Sequence, residues 1–154
     1  MTSHRPSSQQ NPDSHRMPSL LIADDDPIVS STLCAQLSQH FDIVGDARDA
    51  DEAIALAAEH MPDVAIIDVQ MPGGGGLRAT QEMQNCAADT AIVAFSVDES
   101  DTTVREIMNA GAITYLRKGV RGQELALALH RAIEAHALLR QPAQQRIDDS
   151  PPKE

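Results

Sequence analysis

Residues 62–77 read PDVAIIDVQMPGGGGL. The apolar run Val64–Ile67 is short and rich in Val and Ile, the composition of a strand buried on both faces of a sheet. It stops at Asp68. Four glycines, Gly73–Gly76, then lead into a stretch with helical spacing, Gly76–Cys86, which carries Leu77 and Met83. Strand, polar turn and helix together make one unit of an alternating α/β chain.

Outward from this unit the same pattern recurs. Further short apolar runs are Leu20–Ala23, Ile43–Val44, Ala91–Phe95 and Ile113–Leu116. The intervening stretches have helical periodicity. Pro27–His40 places Ile28, Val29, Leu33 and Leu37 on one face, and Asp49–His60 places Ala53, Ile54, Ala57 and Ala58 together. Glu99–Ala110 carries Val104, Ile107 and Met108, and Gly122–Arg140 carries Leu125, Leu129, Ile133 and Ala137. Asp49 is a natural N-cap with Glu52 three residues on, and Gly111 is a natural helix stop. Five strands and five helices in strict alternation predict a parallel sheet covered on both faces. Ligands of such sheets bind beyond the carboxyl ends of the strands, at the topological switch point.

The chain has 154 residues, which suits one domain of about 100–200 residues. Its three aromatics are Phe41, Phe95 and Tyr115, so the core must be aliphatic and base-stacking recognition is disfavoured. Twelve basic residues face 23 acidic ones, a net charge of −11. That balance repels nucleic acid and anionic membranes, and the densest basic stretch is only Arg117, Lys118 and Arg121. Cys34 and Cys86 lie in helical stretches with no CxxC pattern, as reduced structural cysteines of a cytoplasmic protein would. No apolar run approaches the roughly 18 residues of a membrane span, and Met1–Met17 lacks the apolar segment of a signal peptide. Residues 1–17 and 141–154 are polar and expected to be disordered, leaving 18–140 as the ordered domain.

The strand ends carry the chemistry. The first strand runs into Asp24, Asp25 and Asp26, the third into Asp68, the fourth into Ser96 and the fifth into Lys118. In a flavodoxin-like sheet of order 2-1-3-4-5 these four strands are neighbours, and the groups meet. Clustered carboxylates repel one another unless a cation sits among them. Oxygen ligands on an open face suit Mg²⁺, which also accepts phosphate oxygens. Carboxylate, metal, lysine and hydroxyl form a set for handling a phosphoryl group. The glycines Gly73–Gly76 lack a following Gly-Lys-Ser/Thr, so they read as a mobile loop rather than a phosphate-binding one. His130 and His136 lie six apart without metal-ligand spacing and read as surface groups.

The pieces LLIADDDPIV, PDVAIIDVQMPGGGGL, AIVAFS and GAITYLRK resemble, in order and spacing, the receiver domains of bacterial two-component response regulators. The resemblance spans about 18–118 and extends to the last helix. It implies a flavodoxin-like (βα)5 fold and a phosphoryl group accepted on Asp68 from a histidine kinase or phosphotransfer protein. It implies Mg²⁺ held by Asp24, Asp25, Asp68 and the backbone carbonyl of Gln70. Ser96 becomes the switch hydroxyl, Lys118 the phosphate-pairing cation and Tyr115 the aromatic that follows Ser96; Asp26 is a weaker site candidate. Two departures stand out. Gly119 follows Lys118 where the family usually has Pro, and Val97 follows Ser96 where Ala or Gly is common, so Val97 should restrict access to the phosphoryl group.

The expectation is a single-domain response regulator that catalyses only its own phosphorylation and dephosphorylation. It would signal through an unknown target protein without direct contact to nucleic acid or membrane. The first and last helices are candidate surfaces for docking or for a homodimer. The alternatives are a phosphorylation-independent interaction module, a receiver fragment of a longer regulator with its own output domain, and a small Mg²⁺-dependent phosphohydrolase.

Overall fold

The computed structural model describes residues 16–97 and 100–141. Most of the two tails lies outside the described residues, as does Glu99, where the sequence placed the start of the fourth helix; the helix begins at Asp101, behind the N-cap Ser100. The order is β1 (Ser19–Ala23), α1 (Pro27–Leu37), β2 (Asp42–Ala47), α2 (Ala50–His60), β3 (Val64–Asp68), α3 (Gly75–Cys86), β4 (Ala91–Ser96), α4 (Asp101–Ala110), β5 (Thr114–Arg117) and α5 (Gly122–Leu139). The strands form one parallel sheet in the order β2-β1-β3-β4-β5, the flavodoxin-like arrangement.

Period-two alternation sorts the strand residues between two cores. Leu20 and Ile22 of β1, Val64 and Ile66 of β3, and Val93 and Phe95 of β4 pack against α1 and α5. Leu21, Ala23, Ala65, Ile67, Ile92 and Ala94 face α2, α3 and α4. The two cores differ in kind. Ten of the sixteen buried members on the α2–α4 side are alanines, against three of fourteen on the α1–α5 side, where Leu, Ile, Val and Phe dominate.

β2 is longer than its apolar pair Ile43–Val44 suggested. It is an edge strand, half-exposed, so its outer residues need not be apolar. Val44 is an extra residue in the pairing, since Leu20 pairs with Ile43 and Leu21 with Gly45. A Cβ on Gly45 would lie 2.9 Å from Leu21 Cδ1, so glycine lets the edge strand approach.

Helix faces are narrower than their periodicity implied. On α1 the buried stripe is Ser30, Leu33 and Leu37, whereas Ile28 is 75% exposed. The helix also ends at Leu37, not His40, because the His40 and Phe41 N–H groups both turn back to the Leu37 carbonyl and seat Phe41 in the core. Ala58 on α2, Met108 on α4 and Ala137 on α5 likewise face solvent. The cause is common to all four: a helix lying on a sheet buries one stripe, and residues flanking it turn outward.

The expected caps form. Asp49 accepts from the Glu52 N–H at 2.8 Å, and Gly111 ends α4 at φ 125°. The histidines are not simple surface groups. The His130 ring stacks on Phe41 at 4.6 Å, and His136 Nε2 bonds the Ala88 carbonyl at 2.9 Å. Both cysteines are free and half-buried.

Candidate functional site

The three acids of Asp24–Asp26 divide their work. Asp26 is the N-cap of α1, its side chain accepting from the Ile28 N–H at 2.9 Å, with Pro27 in the first turn. Capping needs only this one acid, which leaves the other two for the pocket. Asp24 is 1% exposed, and its Oδ1 accepts from the Asp26 N–H at 2.9 Å. Asp25 is exposed.

Asp68 ends β3 and is 3% exposed, with Oδ1 accepting from the Gln70 N–H at 3.1 Å. One oxygen each from Asp24, Asp25 and Asp68 lie within 4.8 Å of one another. Lys118, just beyond β5, puts Nζ 2.9 Å from Asp24 Oδ2 and 3.2 Å from Asp68 Oδ2. Its backbone N–H donates to the Ser96 carbonyl at 3.0 Å, which locks the end of β5 to the end of β4. Nζ also lies 6.0 Å from the centre of the Phe95 ring.

Electrostatics follow from this crowding. Burial, with the Asp24 charge adding to it, pushes the Asp68 carboxyl up to about 6 despite the Gln70 N–H and Lys118. For Lys118, burial works against the charge, but the carboxylates of Asp24 and Asp68 outweigh it and raise its pKa. The ammonium is shared: Asp24 Oδ2 and Asp68 Oδ2 both lean on the one Lys118 Nζ, at 2.9 and 3.2 Å. Three convergent carboxylates with one lysine among them, the Asp25 carboxylate open to solvent, fit a hard, oxygen-seeking divalent cation such as Mg²⁺.

Of the other sequence candidates, Ser96 ends β4 at 1% exposure and Val97 beside it is 70% exposed. Tyr115 lies opposite Ala94, packs half-buried against the α2–α4 core, and has a buried hydroxyl with no hydrogen-bond partner among the described residues. Gln70 meets Asp68 through its N–H. The glycine loop is held rather than loose. Gly73, Gly74 and Gly75 all have φ above 70°, and Arg78 Nη1 bonds the Gly73 carbonyl and Asp51, each at 2.7 Å. Gly76 is where α3 touches the site. A Cβ there would lie 2.6 Å from the Asp68 carbonyl oxygen and 2.9 Å from Val69 Cα. Gly76→Ala is therefore expected to lower stability by about 1–3 kcal/mol, read by urea unfolding.

Sequence reasoning missed Asp46 and Arg48. Arg48 donates to the Asp24 carbonyl at 3.2 Å and grips the Asp46 carboxylate at 2.8 and 3.0 Å. Nothing in their spacing signals this, because it depends on how β2 pairs with β1 beyond the extra residue Val44.

A family model described as the response regulator receiver domain matches residues 20–130. The response regulator GacA of Pseudomonas aeruginosa is 33% identical over 114 residues, covering 73% of this chain and 53% of that protein. The nitrate/nitrite response regulator protein NarL of Escherichia coli K12 is 31% identical over 122 residues, covering 78% and 56%. Among solved structures, the signal receiver domain of a NarL from Mycobacterium tuberculosis superposes with a TM-score of 0.74 at 25% identity, covering 77% of this chain and 98% of that one. The chemotaxis protein CheY4 of Vibrio cholerae does so at 0.69 and 27%, covering 75% and 98%. The chain spans about half the length of the curated relatives it matches.

Proposed function

The chain belongs to the response regulator receiver domain family, whose general function is phosphoryl acceptance on an aspartate, and from that premise we propose that Asp68 is the acceptor here. The observation that carries this reading is a single ammonium, Lys118, held between two buried carboxylates, Asp24 and Asp68, with Asp25 alongside.

An Asp68 carboxylate oxygen attacks the phosphorus of a donor phosphohistidine in line. The P–N bond breaks and its electrons leave with the imidazole, and an acyl phosphate forms on Asp68. Lys118 balances negative charge on the phosphoryl oxygens, so catalysis is mostly positioning and electrostatics. Asp24, Asp25, Asp68 and the Gln70 carbonyl would hold Mg²⁺, which supplies charge neutralisation and a template for the phosphoryl oxygens. Ser96 reads the new group through its hydroxyl, and Tyr115 follows it. A buried phenol without a partner among the described residues is a ready element for such a rearrangement, since leaving its position breaks no hydrogen bond to them.

The donor is proposed to be a histidine kinase or phosphotransfer protein, and the output contact a target protein. Eight basic against nineteen acidic residues over 18–140 disfavour direct contact of this domain with nucleic acid. No helix among the described residues is long and apolar enough to cross a membrane, and a cytoplasmic setting is proposed.

The test is intact-protein mass spectrometry after incubation with acetyl phosphate and Mg²⁺. One added phosphoryl group, absent when EDTA replaces Mg²⁺, is the expected result, and its absence from both samples overturns the reading. The exposed Val97 yields a second measurement. Its branched side chain beside Ser96 should hinder water, so Val97→Ala is expected to lose the phosphoryl group several-fold faster in a dephosphorylation time course.

A further inference from the structure

The loop that carries Asp24 and Asp25 is braced from outside the pocket. The Asp24 N–H donates to the Ala47 carbonyl at 3.0 Å, and the Asp24 carbonyl accepts from Arg48 Nη1 at 3.2 Å. The peptide units on both sides of Asp24 are thus tied to two consecutive residues, Ala47 at the end of β2 and Arg48 just beyond it. Arg48 is itself fixed at both ends. Its guanidinium forks onto Asp46, and Asp46 accepts from the hydroxyl of Ser30, a fully buried residue of α1. Its backbone N–H reaches Glu52 Oε2 at 3.4 Å. Two residues on, the Ala50 N–H donates to the Pro72 carbonyl of the β3–α3 loop at 3.0 Å.

We propose that Arg48 is a positioning residue for the divalent-cation site. It fixes the peptide plane between Asp24 and Asp25, and with it the direction from which the exposed Asp25 carboxylate joins the buried pair. This rests on the metal reading above. Charge alone predicts the opposite sign, because removing a guanidinium near an acidic cluster should strengthen cation binding. A loss of affinity therefore reports geometry.

The test is calorimetric titration of the full chain with MgCl₂, with the thermal midpoint in EDTA read alongside. Asp46→Asn with Arg48→Met deletes one charge of each sign, and Arg48→Lys keeps the charge but removes the fork. Both are expected to raise the Mg²⁺ Kd by about tenfold, the lower end of what outer groups around metal sites contribute. A Kd within about twofold of wild type in both variants, even with a lowered midpoint, overturns the proposal, since a purely structural brace would behave that way. If the double variant does not fold, Arg48→Lys decides alone. Failure of the wild-type protein itself to bind Mg²⁺ overturns the metal reading, a result distinct from failure of the Arg48 proposal.

Discussion

Asp68→Asn is expected to abolish phosphoryl labelling and, in EDTA above pH 6, to make the protein more stable than wild type. The first effect follows from chemistry, because an amide oxygen cannot form the acyl phosphate. The second follows from burial. The Asp68 carboxyl is pushed up to about 6 in the folded protein, chiefly by desolvation, whereas an unfolded aspartate titrates near 3.9. A group whose folded pKa is raised contributes stability that is complete below the unfolded value and lost as pH rises through the folded one. Wild type in EDTA should therefore lose stability between about pH 4 and 6, and Asp68→Asn should lack that fall. At about 1.4 kcal/mol per pKa unit the ceiling is about 3 kcal/mol. The Lys118 attraction is already contained in that pKa, and because an amide replaces the protonated carboxyl imperfectly the expected gain is about 1–2 kcal/mol. Urea unfolding at pH 5 and pH 8 measures it, and a variant less stable than wild type at pH 8 would contradict the account.

Lys118→Ala acts in the opposite direction and more strongly. Asp24 and Asp68 are both almost fully buried, and the ammonium sits between them. Removing one partner of a buried ion pair costs about 3–5 kcal/mol, because the remaining charge is left uncompensated. Here two carboxylates remain, so the loss should be largest at pH 8 in EDTA and shrink towards pH 5 as Asp68 takes up a proton. Saturating Mg²⁺ should restore part of it by binding only the folded state. Labelling should persist on Asp68 but run more slowly. An unchanged urea midpoint at pH 8 would show that Lys118 does not hold the pair together.

Much of this architecture is written in local sequence. Val64–Ile67 reads as a doubly buried strand because apolar residues fill both faces, and the alternation of such runs with helical stretches leaves few topologies. Asp24, Asp68 and Lys118 were legible because the carboxyl ends of neighbouring parallel strands lie side by side. What sequence did not carry was non-local. β2 extends through Gly45 and Asp46 only because β1 offers it a partner, and that pairing alone brings Arg48 to Asp24. The role of Asp26 as a cap, rather than as a fourth pocket acid, depends on where α1 starts. The exposure of Ile28 depends on the angle at which α1 lies over the sheet, which a 3.6-residue period does not specify.

The alanine-dominated side of the sheet has a mechanical consequence. A methyl group has no rotamers to change, and it projects too little to interlock with its neighbours. The layer between the sheet and α2, α3 and α4 is in effect a smooth bearing, whereas leucines and phenylalanines gear the opposite side to α1 and α5. Small sliding displacements should therefore be taken up beneath α2–α4 while the α1–α5 side stays rigid as a frame.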